Sequence, residues 1–416
     1  MDRSNRYKIF NDPVHGFISV PKGLILRLID HPSVQRLRRI RQLGLGYLVF
    51  PAAEHSRFSH ALGALELAQR VLANLKEKNT TISDKEHEAT LIAILLHDIG
   101  HGPLSHTLEH NLIQDFNHEM MSLAIMRELN KEFDGALDMA IAIFTNQYKK
   151  KFLHQLISSQ LDLDRLDYLR RDSFFTGVSE GAVGINRILK TMRVFKGNIV
   201  IEKKGIYAVE NYIISRRLMY MQVYLHKTVL SADALLRNIF KRVRHLIDTK
   251  VELPFVSESL KYFLVEQPSA KKRLTKKMIS NYSQLDDHDI FVSIKIWANH
   301  NDKALSDLCN RFLNRVLFRT SFFDKAPNEA IKEEVRTKTK AALKKAGLPY
   351  GDEYLQYYYS FDQSYTEAYQ YKNESIWILD DERAVEFSKA ADTKNIIALT
   401  VPVVKHYCVH LKEIDI

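Results

Sequence analysis

The sequence has little cysteine and no long apolar run. Its 416 residues include two cysteines, Cys309 and Cys408, which cannot build a disulfide framework in a chain of this length and favour a reducing, cytoplasmic location. The longest strongly apolar stretch, around residues 91–96, is far too short to span a bilayer. The N-terminal segment also lacks the apolar core of a signal peptide. We therefore expect no membrane partner.

Charge of one sign is only in modest excess. The chain carries 60 lysines and arginines against 50 aspartates and glutamates, a net charge of +10, which favours anionic partners from nucleotides to nucleic acids. Hydrophobic residues make up 45% and charged residues 26%. These ordinary globular values exclude a disordered, collagenous or coiled-coil chain.

The apolar pattern has a helical period over most of the chain. A Ser-x-x-Glu capping box at Ser83 and Glu86 begins one apolar helix, whereas residues 194–205 predict a short hairpin. After about residue 250, a basic helical stretch at 329–346 precedes strand-like runs at 375–379 and 395–404. The fold class is therefore predicted as mainly α: a helical lobe over 1–250 with a short hairpin, and a smaller α+β lobe over 251–416.

Histidine is concentrated in one window. Residues 55–118 contain eight of the 17 histidines, and histidine is the commonest metal ligand and general acid or base. They are His55, His60, His87, His97, His101, His106, His110 and His118.

A His-Asp pair ends the apolar helix of this window. A lone pair of this kind more often caps a helix, but His60 begins another helix and Asp164 lies in a third. Two imidazoles and two carboxylates, counting His97 and Asp98, form a mixed N/O site that suits Mg, Mn, Fe, Zn or Ni. Four ligands leave positions open for water and a phosphate oxygen. The pattern favours a metal-dependent hydrolase.

These motifs resemble a known family. The segments RFSHALG (57–63), HDIGHGPLSH (97–106) and DLDRLDYLRRD (162–172) resemble the H…HD…D motif of the HD-domain phosphohydrolases. Residues 10–16, 36–63 and 224–227 resemble the branch that contains the SAM-and-HD-domain deoxynucleoside triphosphate triphosphohydrolase and bacterial dGTPase-like enzymes. The match is dense from about residue 8 to 230, with an HD core at about 50–175, and we expect no SAM-like domain.

The resemblance implies a role for each matching residue. One divalent metal per active site would be bound by His60, His97, Asp98 and Asp164. Histidines lining the site would be the catalytic His101, His106 and His118, whereas His55 and His110 are interpreted as structural. Substrate contacts would come from Gln42 and Leu43 beside base and sugar, Arg57, Arg165 and Arg216 on phosphates, and Tyr168 and Asp172 on the deoxyribose. Possible allosteric residues are Lys8, Asp30, Gln35 and Arg38.

Three hypotheses follow for the function. The first is a metal-dependent deoxynucleoside triphosphate triphosphohydrolase. A nucleotide activator is possible for this enzyme, and we expect a homo-oligomer such as a dimer or tetramer. The second keeps the HD site but gives it another nucleotide phosphoester, a monophosphate, cyclic or alarmone-type substrate. The third is a nucleotide- or nucleic-acid-binding sensor with an inactive site, which the basic helix at 329–346 motivates. Glutamates interleaved with its lysines favour a solvated face instead.

Overall fold

The computed structural model describes residues 7–252, 254–271, 273–366, 369, 375–392 and 401–416, without the side chains at positions 106 and 110. In these residues helices predominate and the strands form three small sheets. The helices are α1 (Leu24–Asp30), α2 (Pro32–Gln35), α3 (Arg57–Glu77), α4 (Asp84–Leu96), α5 (Ser105–Leu112), α6 (His118–Glu132), α7 (Asp138–Phe144), α8 (Lys151–Gln155), α9 (Leu163–Thr176), α10 (Ile185–Thr191), α11 (Ile206–Met219), α12 (Lys227–Asp248), α13 (Glu258–Glu266), α14 (Lys276–Tyr282), α15 (Asp287–Trp297), α16 (Lys303–Leu313), α17 (Glu329–Lys345), α18 (Asp352–Leu355) and α19 (Phe387–Ala390). The strands are β1 (Tyr7–Asp12), β2 (Gly16–Pro21), β3 (Met192–Phe195), β4 (Asn198–Glu202), β5 (Arg319–Phe323), β6 (Ser360–Thr366), β7 (Trp377–Asp380), β8 (Arg383–Glu386) and β9 (Val403–His410).

The three sheets are built differently. Strands β1 and β2 form an antiparallel hairpin, and β5, β9 and β6 form an antiparallel sheet in that order. The predicted hairpin of β3 and β4 is present and is extended by β7, which pairs with β4 in parallel, and by β8. The mainly helical fold class with a smaller α+β part is confirmed. Positions 395–400 of the predicted run at 395–404 lie outside the described residues.

Polar caps fix where the helices of the site begin. The Ser56 side chain accepts from the Ser59 amide at the start of α3, and Asp162 accepts from Arg165 at the start of α9. The predicted capping box of Ser83 and Glu86 begins α4. Such caps satisfy amides that the first helical turn leaves without partners. The ligand-bearing residues therefore have fixed positions along their helices.

A continuous apolar core supports this helical frame. Helix α3 packs on α4 and α9, and α12 packs on α5, α16 and β5. Helix α4 is buried almost all round, as its unbroken apolar run predicts. Because β7 pairs with β4, strands from both sides of residue 250 share one sheet. The division into lobes at 1–250 and 251–416 remains a prediction. No helix within the described ranges is both long enough and apolar enough to cross a membrane.

Candidate active site

Helices α3, α4 and α9 converge at one cluster of ligand-type side chains. His60 lies in the first turn of α3, His97 follows the end of α4, and Asp164 lies in the first turn of α9. The Nε2 atom of His60 is 3.4 Å from Nε2 of His97 and 3.1 Å from Oδ1 of Asp164. The ligand atoms all lie within 4.8 Å of one another. We call these three residues the ligand group.

The two imidazoles of the ligand group are oriented by acceptors behind them. Nδ1 of His97 is 2.6 Å from the Ile94 carbonyl, and Nδ1 of His60 is 2.8 Å from Oδ2 of Asp167. An acceptor at Nδ1 places the hydrogen on that atom and leaves the Nε2 lone pair facing the cluster. This is the tautomer that a metal-ligating histidine needs.

Asp167 is the centre of a fully buried network. Its carboxylate accepts from Nε of Arg171 at 2.9 Å and lies 2.6 Å from Nε2 of His15, in addition to the His60 bond. A Cβ at Gly63 of α3 would lie 2.0 Å from Oδ1 of Asp167, so glycine is required for this close approach. The loop between β1 and β2 thus contacts the residue that holds His60.

A second cluster adjoins the ligand group. Asp98 Oδ1 lies 3.3 Å from Nε2 of His101, whose ring stacks on His118 with centroids 3.8 Å apart. A Cβ at Gly100 would lie 2.2 Å from the His118 carbonyl, so a glycine there lets α6 approach. We call Asp98, His101 and His118 the stacked group.

Asp98 joins the two groups. Its Oδ2 lies 3.7 Å from Nε2 of His60, and its Oδ1 lies 3.4 Å from Nε2 of His97. The four predicted metal ligands therefore lie together, with Asp98 also belonging to the stacked group. Oδ2 of Asp98 accepts from Nη1 of Arg57 at 2.7 Å. A buried cation thus lies beside the stacked group.

The neighbouring charges shift the pKa values of His60 and His101 in opposite directions. Burial lowers the pKa of His60, but hydrogen bonds with Asp164 and Asp167 outweigh it and raise that pKa to about 10. Burial and the Arg57 charge hold the pKa of His101 well below its usual value. Burial opposes ionisation of Asp98, yet His101, His97 and Arg57 hold its pKa well below the usual range. The ligand group attracts positive charge, whereas the stacked group already has it.

The donor set fits a divalent cation. The imidazole nitrogens of His60 and His97 suit transition metals, and the carboxylate oxygens of Asp98 and Asp164 also suit Mg²⁺ and Mn²⁺. Buried carboxylates are costly unless a cation balances them. Because His60 lies between the carboxylates of Asp164 and Asp167, the cluster favours a positive charge, which a metal ion would supply in place of a proton.

A cavity of about 380 Å³ adjoins these groups. It is bounded by five predicted substrate residues, which are Gln42, Leu43, Arg57, Tyr168 and Asp172. Ser105, whose hydroxyl is 2.6 Å from Nδ1 of His101, lines the same cavity. The cavity therefore extends from Arg57 and Ser105, which contact the stacked group, to Asp172, and its volume is ordinary for a small-molecule site.

Two predicted phosphate contacts, Arg165 and Arg216, are not among the residues that line this cavity. Nε of Arg165 donates to the Ser159 carbonyl at 2.9 Å. Nη1 of Arg216 donates to Oε1 of Gln160 at 3.0 Å, and its guanidinium lies 5.9 Å from the ring centroid of the cavity residue Tyr220. Both arginines are thus held by polar groups of the segment before α9.

The environment of Asp172 was not foreseen from the sequence. Its Oδ1 is 2.7 Å from Nε2 of His55, and its Oδ2 accepts from the Tyr224 hydroxyl at 2.7 Å. The His55 ring also stacks on Phe175 at 4.5 Å. His55 therefore holds a cavity carboxylate, and its position in the histidine-rich window was the signal available. Tyr224 begins the YLHK motif.

Asp233 is a second unforeseen carboxylate at the cavity. Its Oδ1 accepts from the Thr107 hydroxyl at 2.5 Å, and both residues line the cavity. Burial raises the pKa of Asp233 to about 6 despite the Thr107 bond. It lies in α12, beyond the motifs, so no sequence signal indicated it.

The remaining predicted residues fall in two places. Lys8 and Asp30 are exposed with their charged atoms 3.7 Å apart, and Gln35 accepts from Nε of Arg38 at 2.8 Å. Nε2 of Gln35 donates to the Ile29 carbonyl, which brings the four possible allosteric residues to one face. The side chain of His106 lies outside the described residues.

Comparison with known proteins gives two family matches and several relatives. Residues 57–172 match the HD domain and residues 183–257 match the HD associated region. The Bacillus subtilis protein YwfO is 39% identical over 317 residues, covering 75% of this chain and 71% of that protein. A crystal structure of a phosphohydrolase from Bacteroides thetaiotaomicron superposes with a TM-score of 0.92 at 42% identity, covering 97% of this chain and 99% of that one.

A more distant relative carries a substrate in its name. The deoxynucleoside triphosphate triphosphohydrolase SAMHD1 of Bos taurus is 30% identical over 278 residues, covering 56% of this chain and 47% of that protein. The matched HD domain spans Arg57 to Asp172 and so contains all four predicted metal ligands. With the H…HD…D side chains assembled between three helices, the chain belongs to the HD-domain family of phosphohydrolases.

Proposed function

We propose that this protein is a metal-dependent deoxynucleoside triphosphate triphosphohydrolase, which converts a dNTP and water to a deoxynucleoside and tripolyphosphate. The observation that carries the proposal is the cavity of about 380 Å³. Its walls run from Arg57 and Ser105, which contact the stacked group, to Asp172 and Tyr224. The name of the bovine relative supports the same substrate class.

His60, His97, Asp98 and Asp164 would hold one divalent cation. When bound, such a cation polarises a phosphoryl oxygen and lowers the pKa of a coordinated water. The chain supplies the rest of the chemistry. Nδ1 of His60 and of His97 is held by Asp167 and the Ile94 carbonyl, so both Nε2 atoms stay directed at the cluster.

The side chains beside the cluster act on the phosphate chain. Arg57 is buried with a guanidinium that suits phosphate oxygens. Burial lowers the pKa of His118, but its Glu109 hydrogen bond raises it above the ordinary value, so His118 keeps a proton that it can donate to the leaving polyphosphate oxygen. His101, stacked on it with a lowered pKa, stays neutral and accepts a hydrogen bond.

The far wall suits the sugar. Asp172 already accepts from His55 and Tyr224, and each carboxylate oxygen has a further lone pair for a 3′-hydroxyl. Tyr168 lies one helical turn before Asp172 and two turns before the end of α9, so its ring would pack on the deoxyribose beside the anchor. Gln42 and Leu43, which line the same cavity, would contact the base and sugar.

We include three further parts in the proposal. The enzyme acts in the cytoplasm, assembles as a homo-oligomer such as a dimer or tetramer, and is activated by a nucleotide at the face of Lys8, Asp30, Gln35 and Arg38. The support is the contact of Gln35 with both Arg38 and the Ile29 carbonyl on this face. Sedimentation equilibrium with and without nucleotides tests the assembly.

Product analysis tests the activity. Purified protein with Mg²⁺ and then Mn²⁺ is offered each dNTP singly, all four together, and then the ribonucleotides. Deoxynucleoside plus tripolyphosphate is the expected product, and turnover in the mixture alone would add the activator site. Absence of tripolyphosphate from every dNTP, with turnover of a monophosphate or cyclic nucleotide, would overturn the proposal in favour of another phosphoester.

A further inference from the structure

A second cavity lies further along α12, toward the C-terminal end of that helix. Arg237, Lys241, Arg244 and His245 are spaced at i, i+4, i+7 and i+8 in this helix, so they share one face. They line a cavity of about 480 Å³ together with Asn111 of α5. We call this cavity the basic pocket.

The cations of the basic pocket lack close counterions. In the described ranges no carboxylate is within ion-pair distance of Lys241 or Arg244, and Arg237 reaches only Oδ2 of Asp362 at 3.9 Å. The pocket's acid, Asp248, accepts from Nε2 of Gln267 at 3.3 Å. An acidic ligand would therefore find the positive charge uncompensated.

Helix α17 shows what a solvated basic face looks like in the same molecule. Its Lys332 and Lys338 pair with Glu329 and Glu334 at 2.7 and 2.6 Å. Its exposed cations are balanced by neighbours on the helix, as in ordinary surface ion pairs. The basic pocket departs from that pattern, because its cations converge on a concavity.

Partial desolvation adds to the effect of the missing counterion, although Lys241 is exposed and Arg244 is half-buried. Desolvation lowers the pKa of Lys241 and also that of Arg244, where Asp248 only partly opposes the effect. The Nε–H group of Arg244 is buried without a hydrogen-bond partner, and buried donors in native proteins nearly always have one. An oxyanion in the pocket would accept from this donor and restore the balance of charge.

We propose that the basic pocket binds the phosphate oxyanions of a short phosphate chain, either inorganic or the tail of a nucleotide. Two guanidinium groups and one ammonium match a ligand with several anionic oxygens, since guanidinium binds phosphate through paired N–H groups. The amide of Asn111 adds a neutral donor. The cavity volume is within the range of small-molecule sites.

The basic pocket is separate from the cavity of about 380 Å³ at the candidate active site, which we call the catalytic cavity. Helices α5 and α12 contribute residues to both. Thr107 of α5 and Asp233 of α12 join these helices by a hydrogen bond and line the catalytic cavity. Asn111 and Arg237 lie one helical turn further along the same helices and line the basic pocket. Because the pocket uses no residue of the catalytic cavity, this inference stands or falls independently of the proposed reaction.

Calorimetric titration with pyrophosphate tests the binding. Wild-type protein is compared with the double variant Lys241→Gln/Arg244→Gln, and with Arg57→Gln, which removes a phosphate contact in the catalytic cavity. We expect the double variant to lose at least tenfold in affinity for one pyrophosphate, and Arg57→Gln to retain that site. Equal binding by wild type and the double variant, or no binding by wild type, would overturn the proposal.

A thermal measurement guards against simple misfolding. Because the replaced charges have no counterion within ion-pair distance, the double variant should melt at or above the wild-type temperature without ligand. Pyrophosphate should raise the melting temperature of the wild type but not that of the double variant. The matched control Lys338→Gln/Lys340→Gln on α17 removes the same charge and should keep the pyrophosphate response. A pyrophosphate response that the control loses and the double variant keeps would refute a site in this pocket.

The source of the phosphate is resolved by competition. ATP is added to the Arg57→Gln protein saturated with pyrophosphate. Displacement assigns the pocket to a nucleotide tail, and retention of pyrophosphate assigns it to an inorganic phosphate chain. Both results support an oxyanion site of the proposed kind.

Discussion

His60 of the ligand group and His101 of the stacked group lie in opposite electrostatic settings. In the ligand group, His60 lies between Asp164 and Asp167, and its pKa is raised to about 10. In the stacked group, His101 lies beside Arg57, and its pKa is held well below the usual value. The neighbours of each histidine thus decide its role, because carboxylates surround His60 whereas the Arg57 guanidinium lies near His101.

The largest effect should come from removing a carboxylate of the ligand group. Asp164→Ala should lower dNTP turnover by about 10³-fold or more, equivalent to roughly 4 kcal/mol of barrier, because the cluster loses a ligand of the cation. Elemental analysis should show loss of the bound metal. Asp84→Ala, an exposed carboxylate paired with Lys76, is the control and should retain both. Full metal content in Asp164→Ala would contradict the assignment of this ligand.

Removing Arg57, the cation beside the stacked group, should have the next largest effect. Arg57→Gln should lower kcat/KM for a dNTP by about 10²- to 10³-fold, the cost of losing one donor to developing charge. Metal content should be unchanged, since Arg57 is not itself a ligand and donates to the ligand Asp98. The control is Arg70→Gln on the same helix, where Arg70 is half-buried and donates to Oδ1 of Asn186. If Arg57→Gln lost the metal and Arg70→Gln did not, the two groups could not be separated by role.

Asp167 is not a predicted ligand, but it should affect the metal affinity because it holds His60. Asp167→Asn weakens the hold on Nδ1 of His60 and should lower metal affinity by about 10- to 100-fold. Excess metal should then restore activity. Asp307→Asn is matched, because Asp307 pairs with Arg311 at i, i+4 as Asp167 does with Arg171. Activity that stays low in Asp167→Asn at saturating metal would point to a structural role instead.

The sequence predicted the parts of the site that lie within single helices. Asp164, Tyr168 and Asp172 share a face of α9 because their spacing is helical, and the apolar run of α4 carries His97 to its end. The mainly helical fold follows from the same periodicity. The prediction of a divalent metal and the resemblance to the HD family both depended on these local patterns.

What the sequence did not predict depends on distant packing. The loop residue His15 reaches Asp167 across 152 positions, and β7 pairs with β4 from far along the chain. No periodicity encodes such contacts, because they follow from how whole elements pack. Asp167 itself looks like an ordinary charged partner of Arg171 in sequence, and only its burial with His60 reveals the difference.

A third carboxylate cluster, centred on Glu86, extends the comparison to a site with an internal cation. Substitution there should have the smallest effect of those considered. Its carboxylate accepts from Lys150 at 2.8 Å and from Tyr148 at 2.8 Å. Although burial opposes it, these bonds and those from Ser83 lower the pKa of Glu86 to about 2. Lys150 thus supplies internally the positive charge that the ligand group must take from a metal.

The sign of the pH dependence follows from that lowered pKa. A carboxyl group with a folded-state pKa below its ordinary value of 4.5 stabilises the protein above pH 4.5, and this contribution is lost as the pH falls toward 2. Glu86→Gln should therefore lower the free energy of unfolding by about 1–3 kcal/mol at pH 7 and by less at pH 3. Urea unfolding at both pH values measures the difference. Glu128→Gln, which breaks only the exposed pair with Lys131, should change stability by less than about 0.5 kcal/mol. An equal loss of unfolding free energy at both pH values for Glu86→Gln would mean that hydrogen bonds, and not the charge of Glu86, stabilise this cluster. The cation of Lys150 would then not explain why this cluster needs no metal.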